Sequence, residues 1–316
     1  MKSLADLRKQ VAENYLQVLI DAVTVDALPA VAELVTVIGA EEATMRIGGY
    51  TALHCAASQR RVRVASILLN SAYGQAAINI PDDYGRSALY LSSSNPELIK
   101  LLLAAGADPN TALGDGSTPL SQACKSGDVD CVKAFTDKKK HIKRETLDHA
   151  LTSAVFQNLH PEVISVIILL GADVNLKVPY EGEETSLLTI ALRKKFVPVI
   201  DLLLEKGARL GKSISAPLLQ SAVELGHLDI VKSLLSNGAS PNTAIPLPSP
   251  NDVVVALRTG MEGTVPVHRE TLLHIAIRVG NRKMVSLLVS KGADTEIRTA
   301  KGDGFTALHY AAMLVQ

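Results

Sequence analysis

Apolar residues recur along the chain in short runs at helical spacing, and a longer run follows each of them. In TALHCAA, residues 51–57, the apolar positions favour a short amphipathic helix. The stretch LLLAAGADPN, which begins at Leu101, belongs to a longer run that ends at a glycine. Because glycine accepts the left-handed conformation that terminates helices, this run predicts a second helix that stops there. The pattern therefore predicts helix pairs, each a short helix and then a longer one.

The short-helix phrase recurs along nearly the whole chain. TALHCAA returns as TALHYAA at residues 306–312, and degenerate copies lie between the two. Neighbouring copies start 31 to 37 residues apart, except for one gap of 54 residues. A repeat of this length is one supersecondary unit, so we expect an array of stacked units. The copies start at Thr51, Ser87, Thr118, His149, Ser186, Pro217, Thr271 and Thr306, with a weaker one at Gln17.

Start and turn signals agree with this division. The Thr or Ser at the start of most copies predicts an N-cap for the short helix. Pro96, Pro161 and Pro198 lie where the second helix should begin, a position that tolerates a missing N–H. The segments before several copies, such as PDDYGRS and LGDGST, contain the residues of tight turns. We call these segments fingers.

These motifs resemble the ankyrin repeat, which has a period of about 33 residues and a T-P-L-H-x-A signature. The resemblance extends from about Gln17 to Ala312. It implies an all-α repeat protein, a solenoid in which each repeat has a finger and two antiparallel helices. It also implies a non-catalytic interaction module, an adaptor or scaffold that binds a protein through its finger tips and the concave groove of its short helices.

The spacing also predicts how the chain is organised. Residues 1–49 should form N-terminal helices that include a degenerate capping repeat, and residues 50–243 and 270–316 should form the repeats. Residues 244–269 read as a long loop insertion with one short helix at 252–258, either a tolerated surface loop or a partner contact. The last repeat lacks a second helix, so we expect the array to continue past Gln316.

The repeat at His149 departs most from the pattern. It lacks the Thr cap and follows the basic run that starts at Lys138, so its finger should be poorly formed. The run could be a nuclear-localisation or nucleic-acid patch. However, no aromatic residues interleave with it, and the whole chain has 32 basic and 32 acidic residues. We therefore expect a solvated loop and no nucleic-acid partner.

Composition narrows the class of protein further. Hydrophobic residues make up 47% of the chain and aromatic residues only 3%, with no Trp, which suits closely spaced helices packed by small aliphatic residues. No apolar run approaches the roughly 18 residues that a membrane span needs, so we expect no membrane insertion. Three cysteines without CxxC spacing point to free thiols in a reducing intracellular compartment, the cytoplasm or the nucleus.

We find no signature of catalysis, of a metal site or of a cofactor. The string GARLGKS at residues 207–213 has the wrong glycine spacing for a phosphate-binding loop. His54, His274 and His309 share one repeat position. A single active site needs one such base and not one in each repeat. The ankyrin resemblance implies a structural role for them, next to the Thr.

The resemblance also implies which residues would contact a partner. The finger residues are Tyr50, Asp83, Tyr84, Arg86, Asp115, Ser117, Glu183, Thr185, Asp303 and Phe305. The groove residues are Gln59, Lys125, Ser126, Gln157, Arg193, Lys194, Glu224 and Arg278. Aromatic residues at finger tips are common interface anchors.

The groove set carries more positive than negative charge, with Lys125, Arg193, Lys194 and Arg278 against Glu224. This excess predicts an acidic or phosphorylated segment as the partner. The alternative is that the long cationic side chains only solvate the helix ends. Two further alternatives stay open: the chain could be the targeting arm of a larger enzyme, or a microbial effector with the same fold.

Overall fold

The computed structural model describes residues 4–210, 216–248, 267–299 and 304–313. The chain divides into two compact units, Met1–Leu176 and Lys177–Gln316. Asp303 and the short helix predicted at 252–258 lie outside the described residues.

In the first unit, helix pairs follow one another as the repeat pattern predicts. The short helices α3, α6, α8 and α10 pack one on the next, and the longer helices that follow them do the same. The helices are α1 (Leu4–Thr24), α2 (Leu28–Val37), α3 (Ala52–Ser58), α4 (Val62–Leu69), α5 (Ala72–Ala77), α6 (Ala88–Leu91), α7 (Pro96–Ala105), α8 (Pro119–Lys125), α9 (Val129–Lys133), α10 (Arg144–Phe156) and α11 (Pro161–Leu170), with 3-10 helices at Ala40–Thr44 and Thr136–His141.

The second unit continues the same scheme and adds two antiparallel strand pairs, β1 with β2 and β3 with β4. Its short helices α12, α14, α16 and α18 again pack one on the next. The elements are β1 (Lys177–Tyr180), β2 (Glu183–Ser186), α12 (Leu187–Arg193), α13 (Val197–Glu205), α14 (Ala216–Glu224), α15 (Leu228–Ser236), β3 (Ala244–Pro248), β4 (Val267–Thr271), α16 (Leu272–Arg278), α17 (Arg282–Ser290) and α18 (Ala307–Met313).

The predicted start and stop signals work as expected. The Thr51 and Ser87 hydroxyls each accept a backbone N–H three residues ahead, so they cap α3 and α6. Pro96 occupies the first turn of α7. That helix ends at Gly106, whose φ of 103° is left-handed, a conformation that costs glycine little.

Helix α5, between the first two repeats, has no counterpart in the repeat pattern. Tyr73 is fully buried there, and its hydroxyl oxygen accepts the N–H of Ala52 at 3.1 Å. Gly74 passes so close to the backbone of Leu68 that a Cβ on it would overlap the Leu68 carbonyl. The helix thus accounts for the additional residues of a 36-residue spacing, and it packs against α4 and the 3-10 helix Ala40–Thr44.

The prediction that the short helix of the fourth repeat starts near His149 is wrong, because α10 begins at Arg144. The segment before it contains no glycine to form a turn. Thr146, Leu147 and Ala150 are buried at helical spacing, so the chain enters the helix early. The basic run, predicted as a loop, forms the 3-10 helix Thr136–His141 over most of its length.

Residues 244–269 were expected to form a loop, yet both ends of this insertion are strands. Strand β3 pairs antiparallel with β4, from Ala244 opposite Thr271 to Pro248 opposite Val267. Proline is tolerated in such strands because in a two-stranded sheet each strand is an edge strand, where a missing N–H can face away from the partner. The ladder therefore leads from the repeat at Pro217 into the repeat at Thr271.

Asparagine side chains join the loops of neighbouring repeats. Asn110 Oδ1 accepts the N–H of Lys143 at 2.7 Å, and its Nδ2 donates to the His141 carbonyl at 2.8 Å. Asn79 and Asn242 make the same kind of bridge, to the loops after Gly106 and Gly292. These contacts satisfy backbone groups between repeats.

Candidate protein-binding surface

The finger of the repeat at Ser87 is built around the carboxylate of Asp82. Its Oδ1 accepts the N–H groups of Tyr84 (2.9 Å) and Arg86 (2.8 Å), and its Oδ2 accepts Arg86 Nε at 2.8 Å. Burial opposes the ionisation of Asp82, but these donors outweigh burial and lower its pKa. The carboxylate therefore fixes the backbone of the finger.

Tyr84 lies at the tip of this finger with 72% of its surface exposed. The Arg86 guanidinium lies 4.8 Å from the centre of the Tyr84 ring and donates to the Tyr50 hydroxyl at 3.2 Å. Asp83 forms a 2.7 Å ion pair with Arg46. The predicted contacts Tyr50, Asp83, Tyr84 and Arg86 thus lie together, and Tyr84 projects from an ordered support.

Two predicted finger contacts have to be corrected. The side chains of Ser117 and Thr185 are buried, so they cannot meet a partner at the surface. Ser117 donates both its N–H (2.9 Å) and its hydroxyl (2.8 Å) to Asp115 inside the turn. Each lies directly before the residue that caps a short helix, Ser117 in a turn and Thr185 in β2, and the side chain of each is buried. Asp115 and Glu183 remain exposed.

The last finger presents Phe305, which is 43% exposed. Its ring contacts His309 and Tyr310, with ring centres 5.9 and 6.4 Å apart. The Tyr310 hydroxyl donates to Glu270 at 2.8 Å, and burial together with this carboxylate raises the pKa of Tyr310 to about 12. Phe305 is therefore a second exposed aromatic residue in a finger, and its ring packs against His309 and Tyr310.

The predicted groove residues of the first unit lie at the ends of the short helices. Gln59 and Gln157 follow the last residues of α3 and α10, and Lys125 and Ser126 lie at the end of α8. All four are exposed. Lys125 forms no ion pair within the described part of the chain.

The groove cations of the second unit, by contrast, meet carboxylates of their own chain. Arg193 forms a 2.7 Å ion pair with Glu181, and Arg278 lies 3.5 Å from Glu270. Neither glutamate was in the predicted set. The positive excess read from the sequence is therefore partly neutralised within the protein.

The two other charged groove residues of this unit also contact their own chain. Glu224 accepts Lys195 Nζ at 2.6 Å and the Gln220 amide at 2.9 Å. Burial opposes its ionisation, but these donors prevail and lower the pKa of Glu224. Lys194 Nζ lies 5.8 Å from the centre of the Phe196 ring.

The shared histidines are structural, as the resemblance implied. His54 Nδ1 lies 2.7 Å from the Thr51 hydroxyl, and its Nε2 lies 3.0 Å from the Arg86 carbonyl oxygen. His274 has the same geometry with Thr271 (2.8 Å) and the carbonyl of Phe305 (3.1 Å). Each buried imidazole thus joins its own helix start to the next finger.

The three cysteines are free thiols. Cys124 and Cys131 are buried, and burial raises their thiol pKa values to about 12 and about 11. Within the described ranges, no group of three or more His, Cys, Asp or Glu side chains could hold a metal ion. No helix in those ranges is both long enough and apolar enough to cross a membrane.

A family model for ankyrin repeats matches residues 19–112, 92–178, 151–245 and 251–315. These spans cover most of the chain. The chain belongs to the ankyrin-repeat family. Its fold is the ankyrin solenoid, a non-catalytic module of protein–protein interaction.

The chain is similar in sequence or structure to several known proteins. Ankyrin repeat and KH domain-containing protein mask-1 of Caenorhabditis elegans is 30% identical over 194 residues, 59% of this chain and 7% of that protein. NF-kappa-B inhibitor cactus of Drosophila melanogaster is 25% identical over 68% of this chain and 32% of its own length. The solved ankyrin repeat domain of Bcl-3 aligns with 76% of this chain and 99% of its own, at 24% identity and a TM-score of 0.52.

The chain spans less than a third of the length of the first two of these relatives. At 24% sequence identity, the similarity to Bcl-3 shows only that the two proteins share a fold.

Proposed function

We propose that this chain is an adaptor that binds another protein through its finger tips and the ends of its short helices. The observation that carries the proposal is Tyr84, an exposed aromatic ring on a finger fixed by Asp82 and Arg86. A preorganised aromatic side chain loses little conformational entropy on binding, and such residues are frequent hot spots. Similarity to a protein named as an NF-kappa-B inhibitor supports a protein as the ligand class.

Truncation of Tyr84 tests this proposal once a partner is captured by pull-down and identified by cross-linking mass spectrometry. In calorimetric titrations, Tyr84→Ala should weaken binding by about tenfold to a hundredfold, the cost of a hot-spot residue. The matched control is Leu169→Ala, which removes a residue of α11 that is 66% exposed and lies outside the fingers. Equal affinities for wild type and Tyr84→Ala would refute the proposed contact.

We further propose that the partner segment is acidic or phosphorylated. Lys125 at the end of α8, Lys194 directly after α12 and Arg278 at the end of α16 are each exposed, and each can attract a negative group. Lys125 is the cleanest test, because reversing Arg193 would also break its ion pair with Glu181. An acidic segment has to share Arg193 and Arg278 with the glutamates of this chain.

Charge reversal separates a preference for an acidic partner from the alternative that the cationic side chains only solvate the helix ends. Lys125→Glu should weaken binding several-fold and flatten its dependence on salt, because attraction between exposed charges is screened by ions. Lys100→Glu, a change to an exposed lysine of α7 that forms no ion pair within the described residues, is the control and should leave both properties as they are. If Lys125→Glu binds as tightly as wild type, the acidic preference is wrong, whereas the Tyr84 contact stands on its own test.

We place this function in a reducing intracellular compartment, because the three cysteines are unpaired. A second candidate is that these repeats target a larger protein to its substrate. It is favoured by the E3 ubiquitin-protein ligase KEG of Arabidopsis thaliana, which is 26% identical over 72% of this chain and only 14% of its own length.

A further inference from the structure

A small hollow lies between α16 and α18, beside the finger of the repeat at Thr306. Its volume is about 280 Å³, and its lining consists of Arg278, Phe305, Tyr310 and Met313. Phe305 belongs to the finger set and Arg278 to the groove set. Met313 lies seven residues after Thr306, as Arg278 lies seven residues after Thr271, so Met313 occupies a groove position too. The hollow therefore opens where the fingers and the groove meet.

The lining favours an aromatic side chain. The rings of Phe305 and Tyr310 lie edge to face, with centres 6.4 Å apart and planes inclined by 70°. Met313 is 62% exposed, and an aromatic ring packs well against such rings, against a thioether and against the guanidinium of Arg278. Sites for drug-sized ligands usually measure about 300 to 1,000 Å³. At about 280 Å³, this hollow suits one large side chain.

A buried carboxylate with an incomplete set of hydrogen bonds adjoins the hollow. Glu270 is only 8% exposed, and its Oε1 accepts the Tyr310 hydroxyl at 2.8 Å. Its Oε2 is buried and has no hydrogen-bond partner among the described residues. Arg278 Nη2 lies 3.5 Å from Oε2, which is long for a hydrogen bond. A buried acceptor without a donor is costly, so this oxygen favours a ligand that supplies one.

We propose that the hollow receives a tyrosine or tryptophan side chain of the partner protein, whose O–H or N–H donates to Glu270 Oε2. Arg278 both lines the hollow and contacts Oε2, and its side chain is 47% exposed, so it can turn aside to admit the donor. Such side-chain rotations are common at interfaces. A lysine or arginine is disfavoured, because Arg278 already places a positive charge there. The inference rests on the proposed function, since it takes the occupant from a partner protein.

Single-residue probes test the hollow before any partner is known. N-acetyl-tyrosinamide, N-acetyl-tryptophanamide and N-acetyl-phenylalaninamide are titrated into the wild-type chain, and NMR follows the Met313 methyl group. The better of the two donor probes should bind with a dissociation constant on the order of 1 mM. The phenylalanine probe should bind about tenfold more weakly, because it offers no donor to a charged acceptor. Absence of saturable shifts, equal binding of all three probes, or tighter binding of N-acetyl-lysinamide overturns the proposal.

A change to the acceptor shows whether Glu270 receives the donor. Glu270→Gln keeps the shape of the side chain and removes its charge, and hydrogen bonds to neutral groups are weaker. The preference for the donor probe over the phenylalanine probe should therefore fall from about tenfold to about threefold. A general loosening of the structure weakens both probes alike and leaves their ratio unchanged. An unchanged preference would show that the donor binds elsewhere and would overturn the proposal.

A change to the lining shows whether the probes occupy this hollow. Phe305→Ala should weaken the donor probe at least about fivefold, because it removes one of the two rings. Leu308→Ala is the matched control: Leu308 belongs to the same repeat and is 77% exposed, but it is not part of the lining. Equal loss in the two variants would mean non-specific binding and would overturn the proposal. Because the probes need no partner and Tyr84 lies outside the hollow, their failure is distinct from failure of the proposed function.

Discussion

The repeats at Thr51 and at His149 form the same pair of antiparallel helices, but their first helices begin in different ways. At Thr51 the chain makes a tight turn through Gly48 and Gly49, with a bridge between Ile47 and Tyr50, and then starts α3. The fourth repeat has no such turn, and the chain passes from a 3-10 helix into α10. A regular helix pair therefore does not require a regular finger.

The two helix starts differ in which residues satisfy the backbone. Thr51 and His54, both within the repeat, complete the start of α3. At α10, the residue before the helix provides no side-chain cap, and Asn110 from an earlier loop accepts both the Lys143 N–H and the Thr146 hydroxyl. A repeat that has lost its own cap can thus be completed by its neighbour.

The largest expected effect comes from removing the histidine of the regular repeat. His54→Ala leaves a cavity and removes the partners of Thr51 and of the Arg86 carbonyl, so it should lower the free energy of unfolding by about 3 kcal/mol. Thr152 occupies the same position in the fourth repeat, and within the described residues its hydroxyl bonds only the Asp148 carbonyl of its own helix. Thr152→Ala should cost less than about 1 kcal/mol. Urea unfolding followed by circular dichroism measures both, and equal losses would contradict the comparison.

A smaller effect should follow from removing the remote cap. Asn110→Ala should cost about 1 to 2 kcal/mol, because it leaves the Lys143 N–H and the His141 carbonyl without their partner. Hydrogen exchange should speed up at Lys143 and in the first turn of α10. Asn110→Asp is the control, since it keeps the acceptor oxygen and loses only the donated bond. Unchanged exchange in Asn110→Ala would show that α10 needs no cap from its neighbour.

The parts of this fold that could be predicted from the sequence are those set by nearby residues. Thr51 caps a backbone N–H three residues ahead of it, Pro96 starts a helix, and Gly106 ends that helix, so each signal and its effect lie within a single turn. The same local pattern gives the period of the repeats, and that period indicates the ankyrin family. Tyr84 could be predicted as a finger tip because the turn before Ser87 is also local.

The parts that could not be predicted depend on how the chain folds around a residue, over two residues for Ser117 and over more than 30 for Asn110. Arg193 was predicted as a groove cation, but it pairs with Glu181, which belongs to the turn between β1 and β2. Ser117 was read as an exposed contact, but the turn points it inward. The bridge from Asn110 crosses more than 30 residues. Its only sequence signal is an Asn shortly after the terminal glycine, a position that Asn242 shares.

The smallest expected effect is a difference in pH dependence between the two helix starts. Burial holds the pKa of His54 below its ordinary value of 6.5, although the Arg86 carbonyl opposes this shift. Below pH 6.5 the unfolded chain therefore binds more protons than the folded chain, and stability falls, by at most about 1.4 kcal/mol per pH unit. His54→Asn should show a shallower fall in the urea midpoint between pH 7 and pH 5 than wild type. Thr152→Ala should keep the wild-type slope, because Thr152 does not titrate; identical slopes in all three proteins would show that protonation of His54 does not oppose folding.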